Sequence, residues 1–172
     1  MPFSRNSQNP NKTLAAQKLP PGTVRALQLT DTHLYADDDG TLLGINTLQS
    51  LQRVIGHVRD NWWPIDLLLA TGDLVHDSSP AGYARIQAML DGFDVPAFCL
   101  PGNHDDPDML RRHLTGGHVS TDRVCDHGNW RFVMLDSVVP GEEGGRLSRP
   151  ELDALDQALA ATDRHVLVCM HH

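Results

Sequence analysis

The sequence has 172 residues, of which 40% are hydrophobic and 21% charged, the composition of a folded domain with a real core rather than of a disordered chain. Its formal charge of −8 argues against a general nucleic-acid binder, whose affinity rests on Lys and Arg displacing counterions. No apolar run approaches the roughly 18 residues that cross a bilayer, and residues 1–22 lack the apolar stretch of a secretion signal. A cytoplasmic protein without a membrane partner is expected.

Residues 1–22, rich in Asn, Gln, Lys and Pro, predict a flexible N-terminal tail, and residues 23–172 hold no repeat or interior linker that would divide them. Within them apolar β-type runs alternate with segments of helical period, the pattern of an α/β domain. The first strand is expected over Val24–Thr30. A helix follows, with Leu48, Leu51, Ile55 and Val58 on one stripe and Asn46 and Gln49 resembling a capping box. The second strand is expected over Asp66–Thr71, and Ser79-Pro80 then opens a helix running towards Leu90. A third strand over Pro96–Leu100 precedes a short helix from Asp106-Pro107. After a strand over Arg131–Ser137, Ser148-Arg149-Pro150-Glu151 starts a helix whose Leu152, Leu155 and Leu159 should pack onto a sheet. The last strand is expected over His165–Met170. Cys99, Cys125 and Cys169 are odd in number and lack a CxxC spacing, so buried reduced thiols are expected.

Polar residues with metal-binding chemistry recur at the carboxyl ends of these strands: Asp31 and His33, then Gly72-Asp73, then Gly102-Asn103-His104-Asp105, then His171-His172. In open α/β sheets ligands bind in the crevice outside those ends, so distant segments would converge there. Asp31 and His33 stand at i and i+2, which in extended backbone point to one side. Gly72 lets the chain turn sharply, so that Asp73 can reach between two ions and bridge them. Asn103 offers a neutral amide oxygen, His104 can hold or donate a proton, and His171 adds a nitrogen ligand. Mixed nitrogen and oxygen donors without cysteine favour Mn, Fe or Zn over Mg or Ca. Two divalent ions, two carboxylates and a bridging hydroxide sum to about +1, which attracts an anionic phosphate.

Each motif by itself also occurs as a turn or cap, but four in series at strand ends point to one site. His172 is less well placed than His171, because neighbouring strand residues face opposite ways. His76 and Asp77 follow the Gly-Asp motif closely enough to line the crevice, and a plain loop accounts for them equally well. Asp136 reads as a turn or hydrogen-bonding residue. His57, His113, His118, His127 and His165 lack comparable context.

In order and type, Asp31-Thr32-His33, Gly72-Asp73, Gly102-Asn103-His104-Asp105 and His171 resemble the motifs of the calcineurin-like metallophosphoesterases. Leu29-Thr30-Asp31-Thr32-His33-Leu34 with Gly40-Thr41-Leu42-Leu43-Gly44-Ile45-Asn46-Thr47 is similar to the bacterial class III cyclic-nucleotide phosphodiesterases among them. The resemblance implies a four-layer α/β/β/α sandwich, truncated after the His171-His172 strand, with residues 23–172 as the N-terminal portion of a single metallophosphoesterase domain. It implies two metal ions of Fe, Mn or Zn type, with Asp31 and His33 on one, Asn103 and His171 on the other, and Asp73 between them.

The implied reaction is hydrolysis of 3',5'-cyclic AMP to the 5'-monophosphate by metal-bound hydroxide. His33, Asp73, Asn103 and His104 would line the phosphate site, and His104 would assist the leaving oxygen. The expected partner is thus a small cyclic nucleotide rather than a nucleic acid, with a homo-oligomer left open. The family's final Gly-His-x-His is not found, nor is the Pro expected after His172. A broader phosphodiesterase or phosphomonoesterase, or an inactive truncated scaffold, are the alternatives.

Overall fold

In the computed structural model, which describes residues 19–172, each expected strand and helix forms with small shifts at its ends. In chain order the elements are β1 (Ala26–Leu29), β2 (Thr41–Leu42), β3 (Ile45–Asn46), α1 (Thr47–Asn61), β4 (Leu67–Thr71), α2 (Pro80–Asp91), β5 (Ala97–Leu100), α3 (Pro107–His113), β6 (Val119–Ser120), β7 (Val124–His127), β8 (Trp130–Met134), α4 (Arg149–Ala160) and β9 (His165–Cys169). The short β2, β3 and β6, and β7 beside β8, are additions to the expected set. Of the expected tail, residues 1–18 lie outside the described residues. No described helix is long and apolar enough to cross a membrane.

The strands form two main sheets. One is parallel, in the order β1-β4-β5-β6, and the other is mixed, in the order β7-β8-β9, with β8 and β9 parallel; β2 and β3 make a separate small hairpin. Side chains alternate across a strand, and here both faces are apolar. On β4, Leu68 and Ala70 join a cluster with Leu51 of α1, Tyr83, Ile86 and Leu90 of α2 and Leu110 of α3, whereas Leu67 and Leu69 face the other way. That second face, with Phe98 and Leu100, meets Cys125, Phe132, Met134 and Cys169 of the mixed sheet. Val133, Leu135 and Val166 then turn outward onto Leu155 and Ala158 of α4. The layers therefore run helices, sheet, sheet, helix, the four-layer α/β/β/α arrangement.

Helix starts follow the cap chemistry of the sequence. The Asn46 side chain accepts from Gln49 N at 2.8 Å, Ser79 from Gly82 N at 3.1 Å, and Asp106 from Met109 N at 2.9 Å. Each satisfies a first-turn N–H that has no partner inside its helix. The leucines of α4 depart from expectation. Leu152 and Leu159 are 39% and 45% exposed, and the inward face is Glu151, Leu155 and Ala158. A polar tether sets this rotation: the Glu151 carboxylate accepts from Asp136 N at 3.1 Å and pairs with Arg123, and Arg131 donates to Ala158 O at 3.1 Å.

The three cysteines are free and buried, as expected. Burial pushes all three thiols up, Cys125 to about 11, so they stay protonated and act as small apolar groups. Phe132 fills the seam between the sheets, packed at a tilt against Phe98 at 5.7 Å between centroids. Phe132→Ala in the full-length protein is expected to lower the unfolding free energy by about 3–5 kcal/mol, measured by urea denaturation.

Candidate metal centre

Because β1, β4 and β5 are parallel neighbours, the residues that follow them emerge at one edge. The loop after β1 lies along the loop after β4: Asp31 N donates to Gly72 O, His33 N to Asp73 O and Leu34 N to Leu74 O, at 2.9–3.0 Å. The second sheet reaches the same edge through His171, whose Nδ1 lies 2.9 Å from Thr71 O. One correction concerns how Asp31 and His33 come to face one place. Neither is extended; φ is 55° at Asp31, 43° at His33 and 52° at Asp73, all in the left-handed region that residues with a Cβ seldom occupy.

Asp73 is the centre of the group and is only 4% exposed. Its Oδ2 lies 3.6 Å from His33 Nε2 and its Oδ1 lies 3.5 Å from His171 Nε2, so the two oxygens address two different imidazoles. Asp31 Oδ1 is 3.9 Å from His33 Nε2. Asp31, His33 and Asp73 offer donor atoms that all lie within 4.8 Å of one another. These separations are longer than good hydrogen bonds. They approach the spacing, about 3.0–3.4 Å, of two donors held by one ion at about 2.1 Å each. Burial lowers the His33 pKa, with Asp73 opposing, so the imidazole is neutral at pH 7 and has a lone pair to give. The His171 hydrogen bond to a carbonyl puts its proton on Nδ1 and leaves Nε2 as the donor atom facing Asp73. By donor chemistry and spacing, Asp31, His33 and Asp73 fit a metal ion.

Close approach here depends on two glycines. A Cβ on Gly72, whose φ is +88°, would stand 2.5 Å from the His171 ring, and one on Gly102 would stand 2.2 Å from Asp73 Oδ1. Asn103 and His104 follow Gly102. His104 N donates to Asp73 Oδ1 at 2.9 Å, which joins the third loop to the central carboxylate. Asn103 is brought to the same loop, but its Oδ1 is directed to His172 Nε2 at 3.1 Å. His172 is held in turn by Ser137, 3.1 Å from its Nδ1, and so stands behind Asn103. Thus Asp31, His33, Asp73 and His171 converge directly, and Asn103 follows the Gly102 turn with its side chain on His172.

Asp105 has a larger role than its place in the motif suggests. It is buried, and its carboxylate accepts from Leu74 N, Val75 N and Gly102 N at 3.0 Å and from Tyr83 OH at 3.1 Å. These donors come from the loop after β4, the loop after β5 and helix α2. Burial raises the Asp105 pKa while the three N–H bonds oppose that rise, and burial with the nearby Asp105 charge pushes the Tyr83 phenol up.

His76 is the residue that the sequence left undecided. Its ring stacks on His104 at 4.5 Å and packs at a tilt against Tyr35 at 4.9 Å, and its Nδ1 lies 3.1 Å from His33 Nδ1. Asp77 behaves as a loop residue, accepting from Ala36 N and Ser79 N. Asp136 accepts from Arg111 at 2.8 Å and from Val138 N at 3.0 Å, as a turn residue does, and lines one cavity with Asn103 and His104. His76 carried one sequence signal, its position three residues after Asp73, too short a spacing to separate a site residue from a loop.

A two-sheet sandwich with this group at one edge is the architecture of a metallophosphoesterase. The calcineurin-like phosphoesterase family matches residues 24–172, and the chain belongs to that family. It is 41% identical over 151 residues to the 3',5'-cyclic adenosine monophosphate phosphodiesterase CpdA of Escherichia coli, covering 87% of this chain and 55% of that protein. The CpdA of Pseudomonas aeruginosa is 38% identical with the same coverage. A 3',5'-cyclic-nucleotide phosphodiesterase of Nostoc is 36% identical over 91% of this chain and 58% of that protein. The chain spans about half the length of the curated relatives it matches.

Replacing Asp105 by Ala strips four donors of their acceptor. The expected loss is at least about 3 kcal/mol of stability, read by denaturant unfolding of the full-length protein. Asp105→Asn keeps one accepting oxygen and should lose less than Ala.

Proposed function

We propose that the protein hydrolyses 3',5'-cyclic AMP to the 5'-monophosphate at a pair of metal ions. The observation that carries this reading is the placement of Asp73, with one carboxylate oxygen towards His33 and the other towards His171. A carboxylate so placed can serve two ions at once, and residues 23–172 are then the N-terminal portion of a single metallophosphoesterase domain. Asp31 and His33 would hold one ion, and Asn103 and His171 the other. Asn103 Oδ1 has two lone pairs, so it can serve an ion while accepting from His172. The nitrogen and oxygen donor set favours Fe, Mn or Zn. Bound there, such ions supply activation of water near neutral pH and charge stabilisation on the phosphoryl oxygens.

The chain's own residues supply the rest. His104 is exposed at the mouth of the group, with its backbone fixed by the Asp73 bond and its carbonyl by Ser78 Oγ at 2.8 Å. Its imidazole can donate a proton to the departing 3' oxygen, which would otherwise leave as an alkoxide. His33, Asp73, Asn103 and His104 line the place where the phosphate would sit. Support for cyclic AMP as the substrate is the name carried by relatives at 38–41% identity.

Asp73→Ala in the full-length enzyme should remove metal and activity together, by metal analysis and cyclic AMP turnover; activity retained with two bound ions refutes the bridge. His104→Ala should keep both ions and lower kcat by about 10²–10⁴-fold. Equal loss of metal would make His104 a ligand. Turnover of cyclic AMP should exceed that of phosphomonoesters and single-stranded DNA in parallel assays.

A further inference from the structure

His76 lies outside the ligand set proposed above, yet it touches two members of the site. Its ring packs against those of Tyr35 and His104, tilted 41° to the first and 21° to the second. A Cβ on Gly40 would stand 2.5 Å from the Tyr35 ring, so the chain behind Tyr35 is packed closely and backs the stack. From this position His76 Nδ1 faces His33 Nδ1 at 3.1 Å.

The His33 nitrogen turned towards Asp31 and Asp73 is Nε2. A neutral imidazole that gives its Nε2 lone pair to an ion must carry its proton on Nδ1, and that N–H needs an acceptor. The nitrogen at hydrogen-bond distance is His76 Nδ1, which can accept only if His76 carries its own proton on Nε2. We infer that His76 is a positioning residue: it fixes the tautomer and ring plane of His33 through the Nδ1 to Nδ1 hydrogen bond, and it backs the His104 ring. This rests on the proposed ion at Asp31, His33 and Asp73.

The three imidazoles of His33, His76 and His104 also offer nitrogens within 4.8 Å of one another, as a metal triad would. The 3.1 Å contact favours a hydrogen bond instead. It engages the side of His33 opposite to Asp73, and a triad would require His33 to ligate through both nitrogens at once.

The test compares full-length wild type with His76→Phe, which keeps a stacking ring but cannot accept, and His76→Gln, whose amide oxygen can. Nitrogen NMR of the wild type loaded with diamagnetic Zn should show His33 protonated on Nδ1 and His76 on Nε2; a His76 protonated on Nδ1 could not accept from His33 and overturns the inference. Calorimetric titration with Mn should show affinity at one of two sites falling about 10–100-fold in His76→Phe, with most of it restored in His76→Gln. Unchanged affinity in His76→Phe overturns the inference while leaving the metal reading intact. Three equivalents in wild type falling to two in His76→Phe would make His76 a ligand and also overturn it. A wild type that binds no Mn, Fe or Zn defeats the proposed function itself, and the inference with it.

Discussion

The Asp105 carboxylate is the constraint on which the rest of the site depends. A buried carboxylate is tolerated when its lone pairs are occupied, and here three backbone N–H groups and a phenol occupy them. Because the donors belong to two loops and a helix, satisfying one side chain also aligns the chain after β4 with the chain after β5. Asp73 precedes Leu74, and His104 follows Gly102 by two residues, so the Asp105 bonds help to locate the central carboxylate and the proposed acid, beside the bond those two make to each other. Tyr83 extends the network by accepting from Asp106 N at 3.0 Å, at the start of α3.

That anchoring explains how an unfavourable backbone persists. Asp31, His33 and Asp73 each occupy the left-handed region, at a typical cost of about 1–2 kcal/mol per residue. The compensation is local: the three backbone bonds between the loops, the Asp105 contacts, and glycines at the two positions where a side chain would collide with His171 or Asp73. Strain here serves to pack several donors into a volume that extended strands could not supply.

Much of this was legible in the sequence, and the reasons differ from residue to residue. The meeting of Asp31, His33, Asp73 and His171 could be anticipated because the α/β pattern places each of them just after a strand. The four main helices could be found because Asn46, Ser79, Asp106 and Ser148 are cap residues at the right offsets. The work of Asp105 was hidden, since its partners are backbone groups that any sequence has. The rotation of α4 was hidden too. Its inward face starts on Glu151, and apolar periodicity does not register a carboxylate that is buried because Asp136 N and Arg123 meet it. β7 escaped notice because Val124–His127 is half polar and owes its order to pairing with β8. His76 stayed ambiguous because its contacts are to rings from two other segments, a relation that linear spacing does not encode.

The hydrogen bond from His171 to Thr71 joins residues 100 positions apart and crosses from one sheet to the other. The proposed donors are therefore divided between two layers, with Asp31, His33 and Asp73 on the parallel sheet and His171 on the mixed one. Any ligand that engages both groups must favour the docked arrangement of the sheets over the separated one by its own binding free energy. Occupancy then becomes a clasp across the apolar seam of Phe98 and Phe132. Assembly of the sandwich and assembly of the centre are two readings of a single equilibrium.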